Sequence, residues 1–139
     1  MDEGYEPVAD EETIYRRVPA SMTWYDPSTK ELNPEAFGPR RDDDSGISVS
    51  RAKYATIEQA ARGFPGKAYF VAILNAGAIR QAGLAIEPKP DIPTGFDPAH
   101  AEIPDLNASN RKSDPTLERQ RLLVELCLDV VGPYATPAD

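Results

Sequence analysis

His100 is the only histidine and Cys127 the only cysteine in the chain, which narrows the available chemistry at once. A two-histidine metal motif and a facial-triad iron site both need more imidazoles than one. A cysteine zinc site and an internal disulfide need more thiols than one. A Cys127–His100 nucleophile pair is conceivable, but Cys127 falls on an apolar stripe, where a free cysteine ordinarily packs as a small hydrophobe. No phosphate loop, Gly-rich dinucleotide fingerprint or nucleophile elbow occurs. What remains is a polar constellation on three strand-like stretches. Arg16 and Arg17 lie in Thr13-Ile14-Tyr15-Arg16-Arg17-Val18, Ser48 and Ser50 in Gly46-Ile47-Ser48-Val49-Ser50-Arg51, and Glu102 in His100-Ala101-Glu102-Ile103. The run Asp42-Asp43-Asp44 reads most simply as solvated, though three carboxylates can hold a hard cation weakly.

Successive side chains of a strand face opposite ways. Ile14 and Arg16 therefore share one face, and Tyr15 and Arg17 the other. With Ile14 as the core residue, Arg17 becomes the exposed arginine. Ile47 and Val49 point inward and leave Ser48 and Ser50 outside; Ala101 and Ile103 do the same for His100 and Glu102. The alternation permits Arg17, Ser48, Ser50, His100 and Glu102 to share one face of a sheet. Taken as ordinary strand residues, Arg17 and Glu102 would make a cross-strand ion pair, with the two serines on the solvated face.

The order of an arginine strand, a Ser-x-Ser strand and a later x-x-Glu element resembles the ADP-ribosyltransferase fold. The stretch from the second strand to residue 87 is similar to that family too, running strand, helix, apolar strand, short helix, glycine, strand. The resemblance implies that Arg16 or Arg17 binds the pyrophosphate or ribose of NAD. It implies that Ser48 shapes the nicotinamide pocket. Glu102 would hydrogen-bond the ribose 2′-hydroxyl and stabilise the positive charge that builds as the bond to nicotinamide breaks. His100 stands where the family places Gln or Glu, a departure that bears on the transferase step. The chain as a whole is also similar to small bacterial proteins, a likeness that adds nothing on mechanism.

The elements that must position these residues follow from pattern and punctuation. Residues 1–11, rich in Asp and Glu, read as a frayed acidic tail. The β-branched run at 13–18 reads as a strand ending at Pro19. Residues 19–45 hold four prolines and read as a long loop, either pinned to the core by Trp24, Tyr25 and Phe37 or offering Trp24 and Tyr25 as a binding surface. Thr56 and Gln59 form a capping box before a short helix that stops at Gly63. The continuous apolar run Lys67–Leu74 predicts a central strand covered on both faces. Asn75 caps a short helix ended by Gly83. Leu84–Glu87 reads as a brief strand, 88–98 as a Pro/Gly loop, and 100–103 as another strand. Asp114-Pro115 predicts the start of a last helix with Asp114 as its cap. Its apolar stripe would be Leu117, Val124, Leu128 and Val131, interrupted by Arg121 and widened by Leu122, Leu123, Leu126 and Cys127. An alternating pattern over 124–130 keeps a strand open there, but the capped start favours helix to about residue 126. Residues 133–139 read as a tail, leaving 12–132 as one domain.

The result is a single α+β domain: one mixed or antiparallel sheet, a few short helices and a longer C-terminal helix. At 139 residues it is long enough to bury roughly two-thirds of its unfolded surface without staples. The net charge of -8 disfavours nucleic acid, because no basic run gathers against it, and is compatible with a basic protein partner. No apolar run approaches the ~20 residues needed to span a bilayer. The acidic start lacks signal-peptide features, so the cytoplasm is the expected location. The reading on function is a small acidic binding or accessory protein without catalysis or a cofactor. The alternative is an NAD-using enzyme of the ADP-ribosyltransferase type, active or degenerate.

Overall fold

The computed structural model describes residues 3–138. Its centre is a six-stranded antiparallel sheet, in the order β10-β5-β1-β4-β9-β6. The strands are β1 (Thr13–Pro19), β4 (Ile47–Arg51), β5 (Ala68–Asn75), β6 (Glu87–Pro88), β9 (His100–Ile103) and β10 (Asp129–Ala135). Two short hairpins stand apart, β2 (Tyr25–Asp26) with β3 (Glu31–Leu32), and β7 (Asp91–Ile92) with β8 (Gly95–Phe96). The helices are α1 (Ile57–Ala60), α2 (Ala76–Gln81) and α3 (Asp114–Leu126), with 3-10 turns at Pro34–Phe37 and Ala108–Asn110.

The apolar run becomes the central strand β5, flanked by β1 and β10. Phe70, Ala72 and Leu74 enter the main core, while Tyr69 and Val71 enter a smaller cluster on the opposite face. Ile73 is only half-buried, because its face meets little beyond Tyr15 of β1 and the start of β10. The main core fills the face under α2, α3 and the first 3-10 turn, with Ile14, Val18, Phe37, Ile47, Ile79, Ile103 and Leu123. On the other face α1 and its C-terminal neighbour Ala61 cover only the β1–β5–β10 side. The β4–β9 side of that face carries no helix, and there the polar residues lie.

Both caps expected before α1 and α2 are present. Thr56 and Gln59 each accept the other's backbone amide, and Asn75 Oδ1 accepts from Ala78 N at 2.9 Å. At α3 the cap is Ser113 and not Asp114: the Ser113 hydroxyl accepts from Thr116 N at 3.3 Å, and the helix starts one residue earlier than expected, with Pro115 second. Ser113→Ala should therefore cost about 0.5–2 kcal/mol of stability in urea unfolding. Asp114→Ala should cost less, through only the lost charge near the helix start, about 0.3–1 kcal/mol.

The buried face of α3 also differs from the expected stripe. Thr116, Gln120 and Leu123 are buried, while Arg121 and Leu128 are exposed. The helix packs on the Pro34–Phe37 turn, so Thr116 and Gln120 are buried alongside Leu123, while Val124 and Leu126 are only partly buried against the core. The helix ends at Leu126, and the alternation beyond it is real: Asp129–Ala135 pairs with β5 as an edge strand. Residues expected as a C-terminal tail thus complete the sheet, and Thr136 is buried. Leu84–Ile86 makes no strand; β6 is the pair Glu87–Pro88, and the expected 88–98 loop contains the β7–β8 hairpin.

The acidic N-terminal segment is not frayed over residues 3–11, while residues 1 and 2 lie outside the described part. Val8 is buried in the main core. Glu6 and Glu12 close on Arg51, whose side chain is fully buried. Arg51 donates from Nε and Nη2 to the two oxygens of Glu12, both at 2.8 Å, and from Nη2 to Glu6 Oε2 at 3.1 Å. Its remaining fork reaches the Glu6 carbonyl at 3.1 Å. Low apolar content suggested a tail, but the segment is held by a charge in the next-but-one strand, a partner that composition cannot reveal.

Candidate functional site

The uncovered half of the sheet brings the sequence-selected residues together. β1, β4 and β9 are consecutive in the sheet. The registers Tyr15↔Ser50, Ser50↔His100 and Ser48↔Glu102 place Tyr15, Ser48, Ser50, His100 and Glu102 on one face, and Arg17 continues that face along β1. Gly46 permits the close approach of β4 to β9: its φ is +142°, and a Cβ there would stand 2.6 Å from the Ile103 carbonyl oxygen. Arg16 lies on the opposite face, as alternation requires.

The ladder between β1 and β4 is only two residue pairs long, Ile14↔Arg51 and Tyr15↔Ser50, although both strands continue. Where they part, the guanidinium of Arg16 fills the gap. Its Nη1 donates to the Ser48 carbonyl at 2.8 Å and its Nε to the Ala36 carbonyl at 2.9 Å. Burial lowers the Arg16 pKa to about 10, with Asp43 opposing and Arg40 and Arg17 adding to the fall. Arg17 Nη1 donates to the Arg62 carbonyl, and the guanidinium sits over the Tyr69 ring, 5.2 Å from its centroid. Burial lowers the Arg17 pKa as well, Tyr69 opposing it and Arg40 reinforcing it.

Two connected hollows open around these arginines and share Arg16, Arg17, Pro19 and Arg40. One, of about 400 Å³, is lined by five cations (Arg16, Arg17, Arg40, Arg111 and Lys112), one carboxylate (Glu35) and the half-buried Trp24. The other, of about 380 Å³, adds Arg62, Ser48, Ser50 and His100, with Asp42, Asp43 and Asp97 as its acids. Among the described residues none of these six cations is ion-paired to a carboxylate; the ion pairs engage Arg51, Lys53, Arg80 and His100 instead.

His100 is held at both ring nitrogens. Nδ1 lies 2.7 Å from the Lys89 carbonyl and Nε2 lies 3.1 Å from Ser48 Oγ. Glu102 Oε2 is 3.9 Å from Nε2, and Glu102 Oε1 accepts from the Ser45 hydroxyl at 2.6 Å. Glu102 is thus beside Ser48 and His100 but does not line either hollow. Arg17 and Glu102 make no ion pair, because β4 lies between their strands. Tyr25 lies away from the arginine hollows: it is largely buried in the core, edge-on to Phe70 at 5.0 Å, and borders a separate hollow with Leu32 and Val124. Phe37 is fully buried too, so the 19–45 segment is pinned; of its aromatics, Trp24 lines the hollow that holds the arginines.

No family model, curated protein or solved structure matches the chain. Function therefore has to be argued from the site itself. Sequence reasoning found Arg16, Arg17, Ser48, Ser50, His100, Glu102 and Trp24. It missed Arg40, Arg62, Arg111 and Lys112, which sit in turns without periodicity. Arg40 stands just before the acidic run Asp42–Asp44, and Asp43 Oδ2 accepts from the Arg40 backbone amide at 2.7 Å. Among the described residues no group of three or more His, Cys, Asp or Glu is placed to hold a metal.

Proposed function

We propose that this protein is a binding module for a small phosphate-bearing ligand, seated on the arginines of the two joined hollows. One observation carries the reading: a protein of net charge -8 gathers six cations around one concavity and pairs none of them with a described carboxylate. Cations crowded in a partly desolvated cleft lack counter-charge: burial chiefly depresses the pKa of Arg16, Asp43 partly offsets the fall, and Arg40 and Arg17 add to it. An anion supplies that counter-charge, and arginine forks match phosphate oxygens two at a time. Trp24 offers a flat apolar wall for a ring attached to the phosphate.

The test is a calorimetric titration with inorganic pyrophosphate at low and moderate salt. Binding is expected, weakening as salt rises. Arg40→Gln and Arg111→Gln should each reduce affinity by about tenfold or more, since a hydrogen bond to a charged group contributes roughly 1.5–3 kcal/mol. Absence of binding at millimolar pyrophosphate would overturn the reading.

A narrower reading takes the ligand to be NAD, as the resemblance to ADP-ribosyltransferases implies. It is supported by the shared face of Arg17, Ser48 and Glu102 on three adjacent strands. It is opposed by Glu102, whose carboxylate is bound by Ser45 and lies outside the lining. NAD binding at least tenfold tighter than pyrophosphate, and lost in Glu102→Gln, would favour it. Equal or weaker binding would remove it.

A further inference from the structure

We propose that Ser48 and His100 form a nucleophile–base pair that cleaves carboxylic esters. The two residues are diagonal neighbours on one face of adjacent strands, because β4–β9 register sets Ser48 opposite Glu102 and Ser50 opposite His100. The Lys89 carbonyl, 2.7 Å from Nδ1, can only accept a hydrogen bond. It therefore keeps the proton of the neutral imidazole on Nδ1 and leaves the lone pair on Nε2. That lone pair faces Ser48 Oγ at 3.1 Å, so the hydroxyl donates to it. This is the arrangement in which a serine is activated: a base within reach of the hydroxyl, and a third group that orients the base. The backbone carbonyl takes the orienting role, and a backbone bond in the other direction, Lys89 N to the His100 carbonyl at 3.0 Å, holds the two segments in place. Glu102 Oε2, 3.9 Å from Nε2 and anchored through its other oxygen by Ser45, stabilises the imidazolium that forms. Ser48 is exposed, and both Ser48 and His100 line the polar hollow, so a substrate can reach them.

The chemistry balances with water as the only co-substrate. Ser48 Oγ attacks the ester carbonyl carbon as its proton moves to His100 Nε2. The tetrahedral adduct collapses, the bond from carbon to the alcohol oxygen breaks, and Nε2 returns its proton to that oxygen. Water then attacks the acyl carbon as His100 Nε2 takes its proton; the bond from carbon to Ser48 Oγ breaks, and Nε2 returns the proton to Oγ. The products are a carboxylic acid and the free serine. That the preferred ester carries an anionic group rests on the ligand reading above; the pair itself does not.

The decisive probe is a fluorophosphonate, with the adduct located by peptide mass spectrometry. Wild type is expected to take one equivalent on Ser48. Ser48→Ala should take none there. His100→Gln should label at least a hundredfold more slowly while its thermal unfolding stays at the wild-type temperature. No adduct on Ser48, or wild-type labelling in a folded His100→Gln protein, would overturn the proposal. Comparing p-nitrophenyl acetate with the mono-p-nitrophenyl ester of succinic acid separates the two readings. Faster turnover of the succinate, suppressed by pyrophosphate, supports both; equal turnover supports the pair and overturns the anionic preference.

Discussion

Arg51→Ala should lower the free energy of unfolding by about 3–5 kcal/mol, the usual cost of leaving a buried charge without its partner. Arg51 is fully buried and anchors β4 to the N-terminal segment through Glu12, Glu6 and two or more carbonyls. Its loss strands the Glu12 carboxylate, whose side chain is only 10% exposed. The pH dependence of the loss distinguishes this cause from simple lost packing. Burial pushes the Glu12 pKa up, but hydrogen bonds from Arg51 and from Ala9 N, with the charge of Arg51, bring it below the usual value. A depressed folded-state pKa stabilises the protein above the unfolded value and loses that stabilisation as the pH falls. Wild type should thus become less stable as the pH drops below 4.5. In Arg51→Ala, burial of Glu12 is opposed only by the Ala9 amide and the charge of Lys53, so the acid loss that Arg51 causes in wild type is reduced in the variant. The gap between the two proteins in urea unfolding should narrow on acidification. A gap that is constant across this range would count against the ionic account. Glu6 keeps part of its acid sensitivity in both proteins, because the Tyr54 hydroxyl and Lys53 hold its pKa down at about 2.

Phe70→Ala should cost about 3–5 kcal/mol in chemical denaturation. The ring is 6% exposed at the middle of the sheet and meets Tyr25 edge to face, with centroids 5.0 Å apart and planes at 70°. A loss under about 1 kcal/mol would mean that the site collapses around the deletion, contrary to a strand covered on both faces. A double-mutant cycle with Tyr25→Ala should return a coupling of about 0.5–1.5 kcal/mol, the contribution of the aromatic pair beyond area alone. The pair joins the β2–β3 hairpin to the core, where Trp24 and Leu32 also pack.

What was legible in the sequence is what short range dictates. The period-two alternation in β1, β4 and β9 placed Arg17, Ser48, Ser50, His100 and Glu102 on one face, and the apolar run identified the central strand. The capping box at Thr56 was readable because both partners lie within four residues. Long-range partners were not. Nothing local to the acidic N-terminal segment announces Arg51, and nothing local to Arg111 announces Arg16. The α3 stripe misled because leucines spaced for a helix say which rows are apolar, not which row the neighbouring 3-10 turn will meet; Gln120 took that place at 2% exposure.

Arg16 has a consequence for any mutational survey of this protein. The gap between β1 and β4 is spanned by one side chain that holds the carbonyls of Ser48 and Ala36 apart while satisfying both. The width of the hollow at that point is therefore a molecular length, the reach of an arginine. Lysine reaches nearly as far but lacks the fork to serve two acceptors at once. With Arg16→Lys one carbonyl would be released, and the strands would be free to zip further along their register. Site and scaffold are then the same object at this position. Weakened ligand binding in that variant follows from a changed aperture as well as from a lost ligand contact, and the position of the Ser48 backbone tells the two apart.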